Sequence, residues 1–303
     1  MTIIFSLTIK IFILLFIGIL ACKLGFLDDK VKSGLSGLLI NIILPVSMLA
    51  SSQQKFDSTK LVSMGQVAVI AFGYYMVVFA VGIAVCRAFK VERAMRTITI
   101  LLVAFANTAF LGIPILMEIA GETGMLLAVI FNCVFDLLYF SVGMYMLKKE
   151  NDIKDLLKNP MIWISVLTVI LYVIPYRVPT VIVDAMNTLG STMMPISMLI
   201  IGTQLCHMDL RMVVRDKRVY FMSFLRMILI PFVSLIIMRV LNVPYEVGTT
   251  IVILNAMPSG SMNVIMAEHY DTHPEFATAT VMQNTLLMLI TLPAFMYLCR
   301  IWL

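Results

Sequence analysis

Two stretches of the chain carry polar and helix-breaking residues amid apolar sequence. One reads Asn107-Thr108-Ala-Phe-Leu-Gly112-Ile-Pro114, the other Asn255-Ala-Met-Pro258-Ser259-Gly260-Ser261-Met-Asn263. Proline removes an amide donor and clashes with the carbonyl four residues back, while glycine lowers the cost of unwinding. Both stretches are therefore read as broken helices. A half-helix that starts after such a break aims its free N–H groups and the positive end of its dipole at the gap. That arrangement suits an anion, and a carboxylate first of all. Asn107, Thr108, Asn255, Ser259 and Asn263 add neutral donors, which favour an anion without the strong trapping of a buried arginine. With Gly112, Pro114, Pro258 and Gly260 they form the candidate substrate-binding set. The competing reading makes the prolines ordinary kinks and the amides interhelical glue, worth about 0.6 kcal/mol each.

Ionisable side chains inside apolar sequence are the next candidates. Asp136 lies between Phe135 and Leu137, and a carboxylate at such depth usually faces a cavity or carries protons. Its alternative is a structural hydrogen bond to Asn132, one turn back. Glu118 and Asp184 fall near the ends of apolar runs and are read as structural. Lys10 is placed to snorkel, and Arg226 either to pair with a carboxylate or to reach the cytoplasmic surface. His269 and His273 have a zinc-compatible spacing, but Pro274 follows and the segment reads as a loop, so no metal is expected. Ser259 or Ser261 with His269 lacks the elbow of a serine hydrolase, and no phosphate-binding loop is present. The chain is read as a non-enzyme without cofactors, and ATP as no direct energy source.

The elements that must position these residues follow from composition. Of 303 residues 61% are hydrophobic and 13% charged, against roughly 45–50% and about 25% in soluble domains. The excess belongs in lipid, which excludes a cytosolic enzyme, a secreted disulfide scaffold and a large ectodomain. Apolar runs fall at about 3–22, 33–50, 61–86, 97–119, 123–147, 160–174, 180–206, 219–240, 247–267 and 275–299, which predicts an all-α polytopic membrane protein of ten spans. Fifteen Lys and Arg lie in the odd-numbered connectors and five in the even ones or at the C-terminal end. The positive-inside rule then puts the odd connectors in the cytoplasm and both termini outside. The net charge of +5 is accordingly topological, not a nucleic-acid surface. Five single Cys suggest neither disulfides nor metal. A faint lipoprotein-like box ends at Cys22, but a retained first helix is preferred. At about 1.5 Å per residue, Asn107 lies roughly 16 Å in from Arg96 and Pro258 about 18 Å in from Glu246. Both breaks thus fall near the middle of a hydrocarbon core about 30 Å thick.

The halves echo one another. Pro45-Val-Ser-Met-Leu49 returns as Pro195-Ile-Ser-Met-Leu199, Asn107 and Gly112 as Asn255 and Gly260, and Asn132 as Asn284. Offsets of 148 to 152 residues join these pairs. Five spans per copy make the second copy enter from the opposite face, an inverted repeat of the kind that builds carriers. The expected domains are a first five-helix repeat over 1–147, a cytoplasmic linker over 148–159 and a second repeat over 160–303.

The residues also carry a family resemblance. Asn107-Thr-Ala-Phe-Leu-Gly-Ile-Pro114 is similar to the Asn-Thr-x-x-x-Gly-Ile-Pro stretch of the auxin efflux carrier family. Pro258-Ser-Gly, followed by Ala267-Glu-His-Tyr270 and His273-Pro-Glu275, resembles that family's Pro-x-Gly and Ala-x-x-Tyr ending. Asn41 to Pro45 and Gly25-Phe-Leu-Asp28 also fit, and the short central connector resembles the prokaryotic, malate- or malonate-permease-like members of that superfamily. The resemblance implies that helices 4 and 9 cross at their breaks within a moving bundle, beside a scaffold of helices 1, 2, 6 and 7. It implies an elevator-type secondary transporter of small organic anions, a homodimer, and a bacterial inner-membrane location. Asn107, Pro114 and Pro258 best match the family's carboxylate site. Asn263 stands where plant members tend to carry a proline, which favours a small hydroxy or dicarboxylic acid over an aromatic one. The partners expected are thus an organic anion, protons through Asp136, membrane lipid and a second copy of the chain. The alternative from another class is a membrane sensor that binds the same anion without moving it.

Overall fold

The computed structural model describes residues 2–88, 90–148, 159–174, 177–206 and 216–303, so most of the expected 148–159 linker lies outside the described residues. The architecture is all helical. Helix α1 (Thr2–Lys23) is followed by α2 (Asp29–Leu38), which passes through a π turn into α3 (Leu44–Ser51). Then come α4 (Ser58–Ala88), α5 (Arg93–Ala104), α6 (Ile113–Leu138) and α7 (Met144–Lys148). The second half holds α8 (Pro160–Val173), α9 (Thr180–Ser191), α10 (Met193–Cys206), α11 (Lys217–Phe224) and α12 (Ile230–Val240). It ends with α13 (Tyr245–Asn255), α14 (Ser261–His269) and α15 (Pro274–Trp302).

Seven stretches among the described residues are long and apolar enough to cross a membrane, and Met95–Ala104 and Pro160–Val173 are shorter apolar helices. The molecule is a multi-pass helical membrane protein. One of the seven is the 40-residue stretch Thr108–Leu147, where the sequence predicts two spans with a turn between them. The turn is made without a loop. Gly121 adopts φ 58° and ψ −146° within α6, a conformation that carries little penalty only in glycine. The chain folds back there: a Cβ on Gly124 would sit 2.6 Å from the Leu116 carbonyl oxygen, whereas eight residues of straight helix span about 12 Å.

Local chemistry sets the other helix ends. Asp28, Asn159 and Asp216 accept the N–H groups of Val31, Met161 and Arg218 at 2.8, 3.0 and 2.9 Å, each an N-cap that satisfies an otherwise orphaned donor. Pro160 and Pro274 occupy first turns, where a missing N–H costs nothing. Three internal prolines share another device. Pro45, Pro114 and Pro231 each follow a π turn, over Leu39–Ile43, Thr108–Gly112 and Leu225–Leu229. The widened turn lets the helix continue where the proline ring would otherwise strike the carbonyl four residues earlier.

Packing is closest between α1 and α10. A Cβ on Gly202 would lie 2.5 Å from the Leu15 carbonyl oxygen, and one on Gly18 would lie 2.8 Å from that of Leu199. This is backbone on backbone through small residues, the contact favoured where lipid offers no hydrophobic drive between helices. A second centre is aromatic. The Phe105 ring meets Tyr75, Phe79, Phe135 and Tyr139 with centroids 4.7 to 5.7 Å apart, distances at which such rings attract beyond simple burial. Phe105 is the residue at which α5 stops, so this cage fixes where the chain leaves the helix.

Polar ties gather at one end of the bundle. Lys10 Nζ contacts both Glu118 carboxylate oxygens at 2.8 Å. Lys60 bonds to Gln54 and to Thr123 Oγ1, and the Gln54 amide donates to the Glu122 carbonyl at 3.4 Å. The Tyr172 hydroxyl accepts from the Asp57 N–H at 3.0 Å, and Gln53 accepts from the Val178 N–H at 2.9 Å. Lys10 thus reaches a carboxylate, not only an interface to which it could snorkel.

Candidate functional site

Helix α5 ends at Ala104, and the chain is non-helical through Phe105, Ala106 and Asn107, with Phe105 extended. Helix α13 ends at Asn255, and an irregular segment over 256–260 precedes α14. The two irregular segments lie against each other as a short antiparallel pair, Ala106 opposite Ser259. The Asn107 N–H donates to the Pro258 carbonyl at 2.7 Å and the Gly260 N–H to the Phe105 carbonyl at 2.9 Å. The breaks therefore cross and share hydrogen bonds. Gly260 eases this approach, since a Cβ there would press on the Ala106 carbonyl oxygen at 3.1 Å.

A helix that stops inside a membrane leaves its last carbonyls without partners. Here four consecutive ones are provided for. Leu102 accepts from the Ser259 hydroxyl at 2.6 Å, Val103 from Arg226 Nη1 at 3.3 Å, and Ala104 from the Tyr74 hydroxyl at 3.5 Å. The Phe105 carbonyl accepts the Asn263 amide at 3.0 Å as well as the Gly260 N–H. Across the gap Met257 accepts from Arg226 Nε at 3.2 Å.

The side chains nominated from sequence divide into two groups. Most are occupied in holding the crossing. Thr108 donates to Asn132 Oδ1 at 2.6 Å, and the Asn132 amide donates to Asp136 Oδ2 at 3.3 Å, so Asp136 is tied to the first break through two hydrogen bonds. Asn255 donates to Ser234 Oγ at 2.9 Å, and Ser259 accepts the Asn284 amide at 2.8 Å. Gly112 is a packing residue, because a Cβ there would come within 2.5 Å of Leu254 Cδ2 and 3.3 Å of Met257 Cγ. Pro114 does not lie in the gap: the first break is made at Phe105–Asn107, and Pro114 sits buried just inside α6. Pro258 is in the second break and lends its carbonyl to Asn107.

Asn107 is the exception. Its side chain is buried, with 8% exposure, yet its amide forms no hydrogen bond among the described residues, while its backbone is held by Pro258. It stands at the N-cap position of the half-helix that begins at Thr108 without making a capping hydrogen bond, and the first N–H groups of that half-helix precede any helical acceptor. The crossing thus presents a free carboxamide next to helix-terminal donors. Asn255, Asn263 and Asn284 each keep a buried Oδ1 without a partner.

Arg226, Tyr74, Ser234 and Asn284 also belong to this site, and none of the four is in the candidate set read from sequence. Arg226 is 1% exposed within the π turn of Leu225–Leu229, and Tyr74 accepts from its Nη1 at 2.9 Å. For Arg226, a long charged side chain seven residues into the apolar run of 219–240 was the available signal. A cavity of about 890 Å³ opens between α4, α5, α11 and α12. Its walls are apolar, Tyr74, Ser234 and Asn255 contribute its polar inner surface, and Glu92, Lys217 and Arg218 also line it.

A family model described as membrane transport protein matches residues 3–155 and 149–296. The chain is 21% identical over 301 residues to the uncharacterized transporter YfdV of Escherichia coli K12, covering 91% of each. It is 20% identical over 292 residues to the uncharacterized transporter MJ1031 of Methanocaldococcus jannaschii, covering 93% of this chain and 94% of that one. An uncharacterized transporter of Methanothermobacter thermautotrophicus is 22% identical over 291 residues, covering 94% and 95%.

Proposed function

The chain belongs to the membrane transport protein family, which is auxin efflux carrier-like, and on that premise we propose that it is a secondary active carrier of small organic anions such as malate or malonate. The observation that carries the anion reading is the crossing. Two half-helices begin there, Asn107 offers an unpaired carboxamide, and a guanidinium is bonded to carbonyls on both sides of the gap. These groups form a positive, donor-rich point at a depth where water is excluded, and a carboxylate supplies the complementary acceptors. Asp136, linked to the first break through Asn132 and Thr108, is the group proposed to couple protons to the cycle.

The cycle proposed is of the elevator type, with ten spans in two inverted repeats, 1–147 and 160–303. The hydrogen bonds across the gap make α5, α6, α13 and α14 one unit, which supports movement as a rigid bundle. The glycine contact of α1 with α10 supports a separate scaffold. On this reading the Lys10–Glu118 pair joins scaffold to bundle and must open in each turnover. The setting proposed is the bacterial inner membrane, with both termini outside and a homodimer as the working unit.

Counterflow tests the proposal. Proteoliposomes preloaded with unlabelled malate or malonate are diluted into a trace of the labelled acid. A carrier accumulates label transiently above equilibrium, and protein-free vesicles do not. Binding of the acid without counterflow contradicts transport and returns the sensor reading, which the relatives, all described as transporters, do not favour.

A further inference from the structure

Among the described residues, Arg226 and Asp136 are the only buried acidic or basic side chains. They do not pair with each other: Asp136 accepts from Asn132. Three groups receive hydrogen bonds from Arg226, namely the Met257 carbonyl, the Val103 carbonyl and the Tyr74 hydroxyl. All three are neutral. Its Nη2 is fully enclosed and has no partner among the described residues. A guanidinium cannot shed its proton in a protein, so this position holds a full positive charge at membrane depth with no counter-ion from the described residues. Such a charge is costly unless an anion meets it.

The place of this charge matters. One nitrogen holds the carbonyl that precedes Pro258 and another holds a carbonyl of the last turn of α5, so the cation joins both broken helices where they cross. Its field adds to the positive ends of the half-helices that start at Thr108 and Ser261. Neutral acceptors fix the guanidinium in position without cancelling its charge, and one nitrogen with its two N–H donors is left over.

We propose that Arg226 is the fixed positive charge of the carrier's anion site, and that the counter-ion missing from its surroundings is the transported anion itself. This proposal rests on the anion-carrier reading given above. It makes Arg226 a specificity-determining residue: it selects for negative charge, while Asn107 supplies shape and hydrogen bonding.

Two measurements on the purified full chain in detergent test it. The first needs no ligand. Tyr74→Glu places a carboxylate beside the guanidinium, and Tyr74→Gln has the same size without the charge. Tyr74→Glu is expected to melt several degrees above Tyr74→Gln when Arg226 is present, and no higher in an Arg226→Gln background. Equal midpoints with Arg226 present would show that the cation already has its counter-charge, and would overturn the proposal. The second titrates thermal midpoint with sodium malate, malonate, succinate and acetate. A carboxylate that stabilises the wild type should bind at least tenfold more weakly to Arg226→Gln, with Arg226→Lys between the two. Wild-type affinity in Arg226→Gln would overturn the role of Arg226 while leaving the carrier reading intact. If the charge cycle holds but none of the four acids stabilises the wild type, the anion reading fails for this class, and the role of Arg226 as its counter-ion fails with it.

Discussion

At the scale of single residues, the crossing separates side chains that build the site from the one left open to a ligand. Asn107→Ala removes an amide that holds nothing else in place. It should lower affinity for the carried anion at least about tenfold, as expected for loss of a hydrogen bond to a charged group, without changing the thermal midpoint; isothermal titration beside a melting curve reads both. Ser259→Ala should behave in the opposite way. It strands the Leu102 carbonyl and the Asn284 amide, so a loss of about 1–3 kcal/mol in stability is expected, and a melting point equal to that of the wild type would contradict the assigned role. Asp136→Asn keeps the hydrogen bond from Asn132 but cannot carry a proton. Uptake measured across pH should lose its dependence on an imposed proton gradient. The types and spacing of these residues were legible in the sequence, but their division of labour was not. Asn255, Ser259 and Asn263 resemble Asn107 as letters, and only the fold shows that Ser259 and Asn263 are spent on carbonyls released by the other break and the Asn255 amide on the Ser234 hydroxyl.

At the scale of elements, the breaks were visible in the sequence because proline, glycine and amides cluster there. Their positions were less legible. A proline marks where a helix is difficult, not where it stops: Pro114 is accommodated by the π turn of Thr108–Gly112, and the chain leaves the helix nine residues before that proline, at Phe105, where an aromatic cage holds the ring. The reversal at Gly121 falls in the gap expected between the runs 97–119 and 123–147, but that a single glycine makes it without a loop was not legible. Gly260→Ala tests the fit of the two elements directly. The added methyl meets the Ala106 backbone at 3.1 Å, which cannot swing aside as a side chain does, so about 1–3 kcal/mol of destabilisation is expected. Gly112→Ala faces the tip of Leu254, which can rotate, and should cost less. The order of their melting points, Gly260→Ala below Gly112→Ala, is the outcome to check. Helix α11 offers a simpler test of an element's end: the Asp216 cap should be worth about 1 kcal/mol. Hydrogen bonds from Arg218 hold the Asp216 carboxyl below the usual carboxylate range. The cap's contribution is therefore full above the ordinary carboxylate pKa and is lost only as pH falls through that lowered value.

At the scale of the whole molecule, composition alone places the chain in a membrane, and the spaced echoes between its halves suggest a carrier architecture. What no local pattern reveals is how distant helices meet. The approach of Gly18 to Gly202 and the Lys10–Glu118 pair join residues more than a hundred positions apart, and small residues or single charges in an apolar chain do not name their partners. If the Lys10–Glu118 contact opens during turnover, cysteines at both positions should stop uptake when cross-linked and restore it when reduced. The central claim is that the crossing of the two broken helices carries an organic anion through the membrane. Its most direct test is initial uptake of labelled malate and malonate into proteoliposomes holding wild type or Asn107→Ala at matched protein content. Saturable uptake of at least one acid by the wild type and its near-complete loss in the variant are expected. Saturable uptake with equal half-saturation and maximal rate in both proteins would place the anion's path elsewhere and contradict the account.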